Sequence, residues 1–175
     1  MTPQRQPGSA GFTLTEVMVA LAVGTVIIAA VLTTYLMSLK GLNAVANYVE
    51  IHADGRMAID WFSRDMRAAS GVVSMPNSSN ITVSIPTYPG TKTVQYHMNS
   101  GKLLRTETVT NSVTSQLAAN IYQLDFSLYD RLGNFTTVLA SAKGVQVRIR
   151  LRKYVMSQIQ SEDFLSARLD MRNTL

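Results

Sequence analysis

The sequence predicts an α+β protein: a long N-terminal α-helix, membrane-spanning in its first half, packed on an antiparallel β-sheet head. Three observations carry the prediction. From Gly11 to Met37 the chain is apolar, with Glu16 its only charge. No proline occurs between Pro7 and Pro76, so nothing in that interval must break a helix. Beyond residue 72 the pattern changes to period two, the alternation of half-buried strands.

Residues 1–11 hold two prolines and two glycines among polar residues, and no folded element is expected there. Residues 12–40 form the apolar half of the helix. A run of about 20 apolar residues, rising about 1.5 Å each, crosses a hydrocarbon core about 30 Å thick. With Arg5 and the starting amine before it, the positive-inside rule puts residues 1–11 in the cytoplasm and the rest outside. Glu16 is the anomaly. A carboxylate entering hydrocarbon costs about 2.5–3.5 kcal/mol on insertion scales, so a partner and a role are expected for it. Two plainer readings compete. A cleaved secretory signal would be shorter and would carry more positive charge before it. A plain signal anchor explains the length but not the carboxylate.

Residues 41–70 continue the helix, which would run about 88 Å from Phe12 to Ser70. Here two apolar stripes alternate. Leu42, Val45, Val49, Ala53 and Met57 form one, and Tyr48, Ile51, Ile59, Phe62, Met66 and Ala69 the other. We expect the second to pack on the chain's own sheet and the first to meet other helices; a helix buried on both sides within one domain is the alternative. Arg56, Asp60, Arg64 and Arg67 read as a solvated face with i,i+4 pairs.

Residues 71–175 read as the β head, an antiparallel meander with one face on the helix. Ile81–Ile85 alternates. Val94–Met98 joins Lys102–Glu107 through an Asn-Ser-Gly turn. Tyr122, Leu124, Phe126 and Leu128 are expected on one face of a strand over Ile121–Tyr129. The turn Arg131–Asn134 leads to Phe135–Ala140. Val145, Val147, Ile149 and Leu151 alternate with Gln146, Arg148, Arg150 and Arg152. Leu165, Ala167, Leu169 and Met171 alternate with polar residues. Met75–Asn80, Thr87–Thr91 and Thr110–Gln116 read as loops.

Composition excludes several classes. There is no cysteine, hence no disulfide framework and no thiolate metal site. His52 and His97, the only histidines, fall in different elements without a nucleophile motif beside either, and solvated or capping roles are expected for both. No catalytic constellation, cofactor motif or metal-ligand spacing occurs. Arg148, Arg150 and Arg152 share a strand face about 7 Å apart, with Lys153 next in sequence. They form a candidate contact for an acidic partner or DNA. A solvated face paired with neighbouring acids is the plainer reading, and no interleaved aromatic platform is expected beside them, which weakens the nucleic-acid version.

Gly11-Phe12-Thr13-Leu14-Thr15-Glu16 resembles the prepilin processing site of type IV pilins and type II secretion pseudopilins. The resemblance implies a leader of residues 1–11, cleaved by a membrane prepilin peptidase between Gly11 and Phe12. It implies an N-methylated Phe12, and a Glu16 that neutralises the Phe12 amine of a neighbouring subunit and so sets filament register. Removing Arg5 with the leader would lower the net charge from +5 to +4, since 15 basic residues remain against 11 acidic ones. Asp60 to Ala69, with its Arg-Asp-Met-Arg run, is similar to the helix end in minor subunits of the PilW and GspJ (PulJ) type, and Leu169–Asn173 resembles their terminal strand. The chain departs from many pilins in lacking a disulfide and a helix-kinking proline. It also lacks the clustered acids of calcium-binding pseudopilins.

The expected function is that of a structural minor pilin or pseudopilin, not an enzyme. It would be held in the bacterial inner membrane with its head in the periplasm. From there it would assemble with other pilins through the N-terminal helix, at a tip or priming complex. The alternative is a membrane-tethered module that captures a polyanion such as DNA on Arg148, Arg150 and Arg152. Type IV pili, secretion pseudopili and competence pili all fit the resemblance.

Overall fold

A computed structural model describes residues 11–155 and 158–172. The chain divides into two compact units between Asn43 and Ala44, and one helix, α1 (Leu14–Ala68), supplies residues to both. Its 55 residues contain no proline. Within the apolar stretch its hydroxyls are satisfied on its own backbone: Thr25 Oγ1 donates to the Ala22 carbonyl at 2.8 Å, Thr33 to Ala29 at 2.8 Å and Thr34 to Ala30 at 3.0 Å. This back-bonding lets threonine sit in an apolar surface without an unmet donor. The helix is long and apolar enough to cross a membrane. From Phe12 to Met37 its large apolar side chains are exposed.

The second unit is built on two antiparallel sheets. The first is a five-stranded meander of β1 (Gly71–Asn77), β2 (Asn80–Thr87), β3 (Gly90–Asn99), β4 (Lys102–Thr108) and β5 (Ser112–Ala118), in that order. The second comprises β6 (Ile121–Tyr129), β7 (Phe135–Thr136), β8 (Gly144–Val155) and β9 (Gln158–Asp170), in the order β7-β6-β8-β9. One meander was expected; here β6 lies between β7 and β8, so the second sheet departs from chain order. A short 3-10 turn covers Leu139–Ser141, and Phe135–Ala140 is a strand for only its first two residues.

The period-two reading holds where one face is buried. Ile81, Val83 and Ile85 point inward, as do Val94 and Tyr96, and Val145, Val147, Ile149 and Leu151. The β3–β4 loop is Ser100-Gly101, with φ of 48° and 71°. Both residues are left-handed, as a two-residue hairpin loop requires, and the glycine supplies this without steric cost. Two expected loops contain strands. The loop expected from Met75 includes the end of β1, and the one expected from Thr110 includes most of β5. Each strand is an edge, and neither shows a clear apolar face. In β6 the register shifts between Ile121 and Gln123. The extra residue turns Tyr122 out to solvent, 52% exposed, instead of inward with Leu124, Phe126 and Leu128.

Residues from Ile51 of α1 to Ala69, just past its end, close the core. Ile51, Ala58, Phe62, Met66 and Ala69 are buried, whereas Tyr48 is 47% exposed. Phe62 joins both sheets: its ring meets Tyr96 of β3 edge-on at 5.4 Å and stacks with Phe126 of β6 at 5.6 Å. Gly55 allows the close approach, because a Cβ there would collide with Leu165 Cδ1 and lie 3.3 Å from Leu151 Cδ1. The other stripe stays open, with Leu42, Val45, Val49, Ala53 and Met57 all exposed. The helix is therefore not buried on both sides within this chain.

Candidate functional site

Helix α1 starts on a reciprocal cap. Thr13 precedes the first helical residue. Its backbone N–H and its hydroxyl both donate to Glu16 Oε2 at 2.9 Å, and Thr13 Oγ1 accepts the Glu16 N–H at 3.3 Å. This is a capping box, in which the Thr-x-x-Glu spacing satisfies two orphan donors of the first turn. The Thr-x-x-Glu spacing stands in the sequence, so the cap is a second use of the carboxylate beside its charge. Gly11 and Phe12 precede the cap and are exposed. Among the described residues no basic side chain lies within 4.0 Å of Glu16.

Arg148, Arg150 and Arg152 lie along β8 on the face opposite its buried Val147, Ile149 and Leu151. Acids have met two of them. Glu162 of β9 stands 3.4 Å from Arg150 Nε and 3.2 Å from Arg152 Nε, although the latter contact is not aligned as a hydrogen bond. Glu162 also raises the affinity of Arg152 for its proton. Arg148 is exposed, forms no ion pair among the described residues, and is paired in register with Asp125 of β6. Lys153 faces the other way, to Glu50 of α1 at 2.5 Å.

Aromatic rings do interleave with these arginines, but they come from neighbouring strands and so escape a linear reading. Arg152 lies 3.8 Å from the Tyr122 ring centroid and Arg150 lies 5.9 Å from that of Phe164. Arg168 of β9 covers Tyr129 at 3.9 Å. Each ring is thus already occupied by a cation, which stabilises both but leaves less free aromatic face. At one end of this sheet a cavity of about 670 Å³ is lined by Asp130, Arg131, Lys143, Arg168 and Asp170. Asp130 accepts the backbone N–H groups of Leu132 and Asn134 at 2.8 Å, which holds its carboxyl below the usual range and commits it to the turn.

His52, expected to be solvated or capping, is half-buried and hydrogen-bonded to β9. Its Nδ1 is 2.7 Å from Asp163 Oδ2, and its ring stacks on Tyr48 at 5.7 Å. The expected i,i+4 pairs of the polar helix face are not formed within 4.0 Å; Arg64 instead lies over the Trp61 ring at 4.9 Å.

The buried polar cluster went unseen in the sequence. Asp65, within the Arg-Asp-Met-Arg run, is buried at 4% exposure, and Arg105 of β4 at 6%. Arg105 donates to Asp65 through Nε at 2.7 Å and Nη2 at 3.2 Å, and Tyr96 donates its hydroxyl at 2.5 Å. Arg105 also reaches Glu107 at 2.8 Å, and Lys92 completes the chain at 3.0 Å. Burial, then the charge of Asp65, drives the Tyr96 phenol well above its usual range. Burial disfavours the Arg105 charge, but Asp65 and Glu107 more than restore it, leaving the guanidinium above its ordinary value. Lys92, with Arg105, holds the Glu107 carboxyl low. The cluster fastens helix to sheet. Among the described residues no group of three or more histidines and acids is placed to hold a metal.

Compared with known families, residues 7–32 match the prokaryotic N-terminal methylation motif. No curated protein matches the chain. The matched stretch contains Gly11, Phe12, the cap and the first half of the apolar helix. It indicates a pilin-like protein of the kind processed by a prepilin peptidase, and together with the apolar helix it fits membrane anchorage and assembly with other pilins.

Proposed function

We propose that this protein is a minor pilin or pseudopilin. It is cleaved between Gly11 and Phe12, methylated on Phe12, held in the inner membrane with its head in the periplasm, and assembled through α1 into a filament, at its tip or priming complex. The domain plan is a leader over 1–11, a core helix over 12–40, an amphipathic continuation over 41–70 and a partner-selecting head over 71–175. The observation that carries the reading is a lone carboxylate, Glu16, inside the matched motif and at the head of an exposed apolar helix. An opposite charge about 4 Å away is worth about 4 kcal/mol at an effective dielectric of 20, before desolvation is subtracted. A neighbour's Phe12 amine therefore suits Glu16 as partner.

Glu16 has two roles under this reading, the cap and the register, and two variants separate them. Thr13→Ala removes the hydroxyl half of the cap and keeps the charge, costing the helix about 1 kcal/mol. Glu16→Ala removes the carboxylate half and the charge. Membrane insertion is expected in both, with filament incorporation lost only in Glu16→Ala. Equal incorporation of the two variants refutes the register role.

One observation favours a second reading. The arginine–aromatic pairs on the open face of the second sheet suit a membrane-tethered module that captures a polyanion such as DNA. Against it, Glu162 already pairs with Arg150 and Arg152 and offsets one of their two charges, and the arginines themselves cover the neighbouring rings.

A further inference from the structure

The face of α1 turned away from the sheets ends in charges that its own chain does not meet. Successive residues of a helix turn by about 100°. Val45, Val49 and Ala53 therefore share one stripe with Arg56, Asp60, Arg64 and Arg67, opposite the buried Ile51, Ala58 and Phe62. Every residue named in the stripe is exposed. Among the described residues no carboxylate lies within 4.0 Å of its three guanidinium groups, although Asp60 stands at i,i+4 spacing from Arg56 and Arg64. Arg64 is instead held against the Trp61 ring at 4.9 Å. The acids beside the stripe are engaged elsewhere, Glu50 with Lys153 and Asp54 with the Ala119 N–H.

We propose that this stripe docks a parallel α-helix of a different membrane-anchored subunit, one with carboxylates beside Arg56, Arg64 and Arg67 and apolar residues beside Val45 to Ala53. The sign of the charge selects carboxylates, and the planar fork of arginine suits them. The apolar start of the stripe selects a protein helix over DNA, whose evenly spaced phosphates call for cations throughout. In chain order that start also stands between the arginines and the membrane-crossing part of α1, which keeps them from phospholipid headgroups. A second copy is a poor fit. Two chains anchored in one membrane run parallel, so each brings three arginines and one acid against the same set. Like charges facing across an interface oppose docking. This partner chemistry deepens the assembly reading, and it rests on α1 packing beside other helices.

The test needs no filament, so it can fail while the assembly reading stands. The full chain has no cysteine and is given one in the stripe, Ala53→Cys. It is reconstituted in neutral phosphatidylcholine vesicles with a synthetic peptide probe and mildly oxidised. Each probe repeats residues 12–44 and continues as an alanine-rich helix with a cysteine level with position 53. Positions level with 56, 64 and 67 carry glutamate in one probe and lysine in another; a third continues with the chain's own residues 45–67. The glutamate probe is expected to give about tenfold more mixed disulfide than either of the others, an excess lost at high salt. Arg56→Gln, Arg64→Gln and Arg67→Gln together should remove the preference between glutamate and lysine. Arg56→Glu, Arg64→Glu and Arg67→Glu together should reverse it, which a difference in how the probes insert would not do. Changing Arg148, Arg150 and Arg152 to Gln should leave it unchanged. Equal crosslinking of the glutamate and lysine probes, a preference that survives the helix glutamines, or an own-sequence probe that matches the glutamate one overturns the proposal. So does duplex DNA binding by the full chain that those glutamines abolish, which would make the stripe a nucleic-acid contact.

Discussion

Asp65 shows what a single buried charge does here. Its carboxylate holds Arg105 and Tyr96 against the helix, and all three are buried. Removing one partner strands the others: Asp65→Ala is expected to destabilise the head by about 3–5 kcal/mol, because breaking a buried pair leaves an uncompensated charge. Replacing the whole unit with apolar residues of similar size avoids that cost. Asp65→Leu, Arg105→Met and Tyr96→Phe together are expected to be more stable than Asp65→Ala alone, measured by urea denaturation. A triple variant weaker than the single one would mean that the cluster's hydrogen bonds outweigh its desolvation. Sequence reading missed this unit for a physical reason. Arg105 sits at an inward position between Leu103 and Glu107, and charges at alternating positions look like solvent-facing residues until a partner is known.

At the scale of elements, the long helix and the strands with one buried face were legible in the sequence, because apolar periodicity records what is buried. The two missed strands are edges: β1 is interrupted by Pro76, and β5 is uncharged, polar and exposed through Gln116. Strand pairing there is written in backbone hydrogen bonds, which leave no side-chain pattern. The bulge at Tyr122 shifted one face by one residue for the same reason. The candidate site was legible in part. Gly11, Phe12 and Glu16 stand in a contiguous motif, whereas the rings beside the arginines of β8 are contributed by other strands. Those arginines carry a prediction at this scale. With Arg148, Arg150 and Arg152 all changed to Glu, filament incorporation is expected to persist, scored by immunoblot of sheared filaments. Loss of duplex DNA binding with assembly intact would instead favour the polyanion reading.

For the molecule as a whole, the decisive contact is Phe62, whose ring touches Tyr96 in one sheet and Phe126 in the other. Phe62→Ala is expected to cost about 3–5 kcal/mol through the cavity it leaves. Both sheets should weaken together, so that amide exchange in β3 and in β6 accelerates in parallel. Acceleration confined to one sheet would show that they are separable. A single aromatic plug serving two walls predicts that the walls loosen together. On that prediction a protease in the surrounding compartment would find the two sheets of the head shut together or open together, with no form in which only one has melted.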